Sequence, residues 1–134
     1  MPCHTPCPLR ILSVEDDECI RDILRVGLER LGHHVEFAVN GEEAVARLQR
    51  GSFDLVLMDV YMPVMDGVEA TTRIRQLPEP LCGIPVIGLS ADMERSDLRA
   101  YALAGMNECL AKPVDWRRLA EALSRYPAIH APAR

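Results

Sequence analysis

The chain has 134 residues, with a hydrophobic fraction of 49%, a charged fraction of 26% and a formal net charge of −5. That length suits one domain with a real core, and the composition is that of a soluble globular protein. The acidic balance argues against nucleic acid as the main partner, and no apolar run approaches the length of a membrane span. The opening segment, residues 1–8, lacks the apolar core of a signal peptide, which points to a cytoplasmic location. Five cysteines, odd in number and scattered, give no disulfide framework. Cys3, His4 and Cys7 carry metal-type side chains. No second ligand cluster follows to close a site, so residues 1–8 read as a flexible leader.

Strand one is expected at Ile11–Val14, and it runs straight into Glu15, Asp16 and Asp17. The next helix carries Ile20, Ile23, Leu24, Gly27, Leu28 and Leu31, a single apolar stripe at helical spacing. Gly32 is placed to end it. Val35–Val39 is a second, shorter strand. Asn40 is a good N-cap, and Glu43 three residues later completes a box-like pattern. Helix two then buries Ala44, Val45 and Leu48, and Gly51 ends it.

Strand three, Leu55–Met58, is continuously apolar, as a strand buried on both faces must be. It ends on Asp59. A turn at Asp66 and Gly67 leads into a third helix over Val68–Arg75, with Ile74 facing inward. The segment from Leu77 to Ile84 reads as a loop. Strand four, Val86–Leu89, releases Ser90. Helix four, Glu94–Leu103, is weakly patterned and a candidate for motion, and Gly105 closes it. Strand five, Glu108–Ala111, releases Lys112. Asp115 can cap a last helix that buries Leu119, Ala120 and Leu123. Residues 127–134 read as a flexible tail.

This alternation calls for an α/β fold: a doubly wound, five-stranded parallel sheet with helices on both faces and right-handed crossovers. Strand order 2-1-3-4-5 places strands one and three side by side at the switch point, where such sheets bind ligands. Glu15, Asp16, Asp59, Ser90 and Lys112 then meet at one sheet edge. Three crowded carboxylates repel, and a divalent cation removes the conflict. All-oxygen ligation suits Mg²⁺ or Mn²⁺. A solvated helix start explains Asp17 and Glu18 well, and Asp59 poorly. A carboxylate beside such a cation can also act as a nucleophile toward phosphorus. Of fifteen basic side chains fourteen are Arg, and the one Lys is Lys112. A compact ammonium on a flexible stem suits contact with a single oxygen.

With these residues assembled, the chain resembles the receiver domain of two-component response regulators over about residues 9–126. The carrying motifs are Glu15-Asp16, the segment from Met58 to Gly67, Ser90-Ala91 and Lys112-Pro113. The resemblance implies a flavodoxin-like fold and one phosphoryl group accepted by Asp59 from a partner phosphohistidine. It implies Asp16 as a direct metal ligand, Glu15 as one acting through water, and the main-chain carbonyl of Tyr61 as another. It further implies that Ser90 bonds the phosphoryl group, that Lys112 pairs with it, and that the Lys112-Pro113 bond is cis. The segments 66–75 and 105–114 are most similar to receivers of hybrid sensor kinases.

The expected partners are a sensor histidine kinase or a histidine phosphotransfer domain, met by a monomer or weak dimer. The expected role is signalling rather than enzymatic, with the domain assisting its own phosphorylation and dephosphorylation. No output domain follows Tyr126, so nucleic-acid binding by this chain is not expected. It is either a single-domain regulator or a module of a longer protein. Tyr61 and Asp92, two residues beyond Asp59 and Ser90, should border the path of an attacking water and tune dephosphorylation. The family commonly has an inward-turning aromatic three positions before the lysine, and here that position is Cys109. Switching is therefore expected to run through Ser90 and helix four.

Three rival classes are weaker. An aspartate-nucleophile phosphatase usually carries a second Asp where Tyr61 stands. A receiver fold kept only for interaction would not need the full set of Glu15, Asp16, Asp59, Ser90 and Lys112. A nucleotide-binding domain needs a Gly-rich loop after strand one, and none is there.

Overall fold

Alternation along each strand decides which side of the sheet an apolar residue serves. The computed structural model describes residues 8–62 and 64–128. The expectations for Cys3, His4 and Cys7, and for most of the leader and tail, lie outside them. The elements are β1 (Arg10–Val14), α1 (Glu18–Arg30), β2 (His34–Ala38), α2 (Gly41–Arg50), β3 (Leu55–Asp59), α3 (Gly67–Arg75), β4 (Val86–Ser90), α4 (Arg95–Ala104), β5 (Glu108–Ala111) and α5 (Trp116–Ser124). All strand pairs are parallel, in the order β2-β1-β3-β4-β5. Ile11, Leu55, Leu57 and Ile87 face Leu24 and Leu28 of α1 and Leu119, Ala122 and Leu123 of α5. Leu12, Val56, Met58 and Val86 face Ala44, Leu48, Ala70, Ile74 and Tyr101 of α2, α3 and α4. β3 is buried along its whole length, as its unbroken apolar run requires.

The helix ends follow the local chemistry. Asp17, Asn40, Asp66 and Asp115 each accept a backbone N–H of the following first turn. Asn40 takes the Glu43 N–H, but the Glu43 carboxylate reaches the Val39 N–H, one residue earlier than a capping box requires. Gly32 and Gly105 adopt positive φ, 95° and 110°, just beyond α1 and α4. The segment before β4 contains a short 3₁₀ turn at Leu81–Gly83.

Two packing expectations are corrected. Ile23 of the α1 stripe is 60% exposed. It lines a groove with Gly27 and Trp116, whose ring lies so close to α1 that a Cβ on Gly27 would overlap it. The buried arc of α1 therefore centres on Leu24 and Leu28. In α5 it is Ala122, not Ala120, that joins Leu119 and Leu123 in the core.

α4 contributes one fully enclosed side chain, Tyr101, in keeping with its weak sequence pattern. Its C-terminal end is tied down from outside the helix. Arg75 donates from Nε and Nη2 to the Gly105 carbonyl, from Nη1 to the carbonyls of Cys82 and Ile84, and from Nη2 to the Asn107 side chain. No carboxylate pairs with it among the described residues; the planar fork serves as a clasp for carbonyls. Lysine cannot reproduce several of these bonds at once. Arg75→Ala is expected to lower the unfolding free energy by about 2–4 kcal/mol, and Arg75→Lys to recover less than half of that, measured by denaturant unfolding.

Candidate functional site

The parallel register delivers the site. Val14 pairs with Met58, so Glu15 and Asp59 leave adjacent strands at the same level. Asp59 pairs with Leu89 and Ser90 with Ala111, which brings Ser90 and Lys112 to that edge. Backbone bonds continue the ladder into the loops: Glu15 N–H to Ala38, Val60 N–H to Leu89 at 3.1 Å, and Lys112 N–H to Ser90 at 2.8 Å. The Lys112-Pro113 bond is cis, as expected. Gly67 lets α3 start against the end of β3; a Cβ there would press on the Asp59 carbonyl and on Val60 Cα. In the intervening loop Val64 has φ 71°, a conformation that is costly for a β-branched residue.

One oxygen each from Glu15, Asp16 and Asp59 falls within a 4.8 Å cluster. Glu15 and Asp59 are buried and Asp16 is exposed. Lys112 donates to Asp59 Oδ1 at 2.7 Å. Three carboxylates against one ammonium leave a formal excess of two negative charges. Burial first, and the Asp59 carboxylate second, raise the Glu15 carboxyl to about 7. One Glu15 oxygen accepts the Asp17 N–H at 3.2 Å. The other, Oε1, is buried without a hydrogen-bond partner. An orphaned buried carboxylate oxygen in an all-oxygen cluster with two excess charges fits a divalent cation such as Mg²⁺. Asp17 stands apart from the cluster and caps α1, in line with its reading as a helix start.

The other expected residues are arranged differently. Ser90 reaches the same edge but turns its hydroxyl toward its own loop and α4. Its Oγ accepts the Asp92 N–H at 3.0 Å and lies 3.0 Å from the Tyr101 hydroxyl. Tyr61 is largely exposed. Interaction with the Asp92 side chain first, and with Tyr101 second, raises its phenol above the ordinary range. Cys109 lies away from this edge, packed with Met106 against Gly88 of β4. Burial pushes its thiol up to about 11, where it is an unreactive small hydrophobe. Tyr101 was not anticipated from the sequence. Its visible signal was modest: an aromatic three residues after Leu98, on the inner side of a helix with little else to bury.

Known proteins match this arrangement. The family model of the response regulator receiver domain matches residues 11–124. The chain is 36% identical over 118 residues to the signal transduction histidine-protein kinase BarA of Escherichia coli K12, covering 88% of this chain and 13% of that kinase. It is 38% identical over 122 residues to the two-component response regulator ORR41 of Oryza sativa subsp. japonica, covering 88% and 94%. Among solved structures it resembles the receiver domain of the sensor histidine kinase PA1611 of Pseudomonas aeruginosa PAO1, which holds a magnesium ion coordinated in its active-site cleft. That likeness has a TM-score of 0.81 and 35% identity, over 89% of this chain and 97% of the other. A family model that spans nearly the whole folded unit, joined by relatives well above 30% identity, makes this chain a member of the response regulator receiver domain family of two-component signalling.

Proposed function

We propose that Asp59 accepts a phosphoryl group from a phosphohistidine on a sensor kinase or phosphotransfer domain. The observation that carries this reading is the buried Asp59 carboxylate, set beside two further acids and held through Oδ1 by the chain's one lysine. Oδ2 has no hydrogen bond among the described residues and is the oxygen left to attack phosphorus. The new P–O bond forms as the P–N bond to the imidazole breaks, and the leaving ring nitrogen keeps the electron pair. Glu15, Asp16, Asp59 and the Tyr61 main-chain carbonyl would hold Mg²⁺ or Mn²⁺, which supplies positive charge to the phosphoryl oxygens. Lys112 is tethered within reach of the same oxygens and supplies a second charge. Ser90 is the hydroxyl donor for the phosphorylated state.

The receiver unit we assign to residues 9–126, working in the cytoplasm as a signalling monomer or weak dimer. Cell fractionation and sedimentation check the last two assignments. Among the described residues no helix is long and apolar enough to cross a membrane.

The partner surface is read from α1. Ile23 and Val26 are exposed by 60% and 52%. With Gly27, Leu31 and Trp116 they line an apolar groove of about 590 Å³ between α1 and α5, rimmed by Asp22 and Arg30. α1 begins beside the acidic cluster, so a helical phosphodonor seated here would carry its histidine toward Asp59. Exposed apolar side chains of this kind make suitable anchors for such a helix.

Incubation with acetyl phosphate and Mg²⁺ should add one phosphoryl mass to the chain, and Asp59→Asn should abolish it. Labelling that persists and maps to another residue would refute the assignment. After donor removal, Tyr61→Ala should alter loss of the label more than it alters labelling. Equal effects would mean that Tyr61 only shapes the pocket.

The raised Glu15 carboxyl gives the metal site a pH dependence. A carboxyl whose folded value lies above its unfolded one stabilises the fold fully below about 4.5, and that stability is lost as pH rises through about 7. The metal-free protein should therefore lose stability between pH 5 and 8, with Glu15→Gln flattening this component. Mg²⁺ needs the ionised form, so its stabilising effect should grow from pH 6 to 8 and be largely removed by Asp16→Asn. Thermal unfolding in the presence and absence of millimolar Mg²⁺ measures both.

Ile23→Glu should slow transfer from a phosphohistidine partner by roughly tenfold or more while leaving acetyl phosphate labelling within about twofold. A uniform loss with both donors would point to damage at the site rather than to docking.

A further inference from the structure

We infer that Tyr101 is a positioning residue for phosphoryl acceptance: its hydroxyl holds the Ser90 hydroxyl in a resting place that must be given up when Asp59 is phosphorylated. This rests on the reading of Asp59 as phosphoacceptor and Ser90 as its hydroxyl partner.

Three oxygens form a closed triangle at the end of β4. Ser90 Oγ lies 3.0 Å from Tyr101 Oη and 3.1 Å from the Asp92 carbonyl, and Tyr101 donates to that same carbonyl at 2.9 Å. The Asp92 N–H donates to Ser90 Oγ and uses one of its lone pairs. The triangle has three edges but only two protons, one on each hydroxyl, because a carbonyl has none. With Tyr101 donating to Asp92, the Ser90 proton closes one further edge only and is spent within the triangle, on the same carbonyl or on Tyr101 Oη. An acyl phosphate offers acceptors only, so bonding it requires that same Ser90 proton. The triangle and the phosphoryl group therefore compete for one proton.

Tyr101 is suited to be the fixed member of this pair. It is only 4% exposed and its ring packs in the core. Its helix is clasped at the far end through Arg75 and Gly105. When Ser90 leaves, Tyr101 keeps the Asp92 carbonyl, so release costs about one net hydrogen bond. Cys109 offers neither a ring nor a strong hydroxyl-type partner here; the resting partner comes from α4 instead. Loss of the contact also frees the loop from Ser90 to Glu94, which couples the site to α4.

The test uses the full chain with Mg²⁺ and beryllofluoride as the phosphoryl mimic, read by calorimetry. Removing only the hydroxyl, in Tyr101→Phe, should tighten binding by roughly 3–10-fold, the size of one net hydrogen bond. In a Ser90→Ala background the same change should have no effect, because the contact it removes is already gone. Amide exchange without the mimic should rise at Asp92 in Tyr101→Phe, a readout independent of ligand binding. Weaker or unchanged binding in Tyr101→Phe, or an equal effect in both backgrounds, would overturn the inference. If Ser90→Ala alone leaves binding unchanged, or if Asp59→Asn still binds the mimic, the underlying reading of those residues fails as well. If Ser90→Ala weakens binding and Tyr101→Phe does not tighten it, only the role of Tyr101 falls.

Discussion

The crowding of Glu15, Asp16 and Asp59 at one edge of the sheet is the constraint on which the rest of the structure depends. Two of the three acids are buried, and a single ammonium faces them. A buried carboxylate without compensation is costly, and here the conflict shows in the raised Glu15 carboxyl and its orphaned oxygen. The fold tolerates this because β1 and β3 are held in register by buried apolar side chains on both faces. The hydrophobic core thus supplies the free energy that keeps like charges together, and the site can use their mutual repulsion to favour a cation.

The same edge carries two hydroxyls that the core also holds in place. Ser90 and Tyr101 are both buried, and both are bonded to one loop carbonyl. α4 is otherwise sparsely anchored: it buries one aromatic near its C-terminal end, and the Arg75 clasp lies just beyond it. An element held by few contacts can take a second position at modest cost. That property would let α4 link the proposed chemistry at Asp59 to a surface some distance from it, without requiring an aromatic side chain on β5.

The opposite face differs in what it exposes. α1 starts at the acidic cluster and presents Ile23 and Val26 to solvent beside the Trp116 ring. Phosphoryl input through α1 and output through α4 would then use opposite faces of one sheet, with Asp59 at the edge between them.

The sequence alone determined the order of elements, the strand order and the convergence of Glu15, Asp16, Asp59 and Lys112. These follow from local signals: apolar strands that end on charged residues, capping side chains, and the topology that alternating strands and helices impose. Cys109 was also visible as a departure from the family pattern. Tertiary structure decided what no local pattern encodes. Ile23 lies in a helical stripe yet faces solvent, beside a groove that Trp116, some ninety positions away, helps to line. Ser90 stands where its sequence position places it, but the direction of its hydroxyl is set by Tyr101 and Asp92. In the sequence Arg75 only marks the end of the third helix, and the folded chain alone brings the carbonyls of Cys82, Ile84 and Gly105 to its guanidinium. Periodicity reports which face of an element is apolar. Hydrogen-bond partners and the limits of burial depend on which distant side chain arrives there, and that is fixed only when the layers pack.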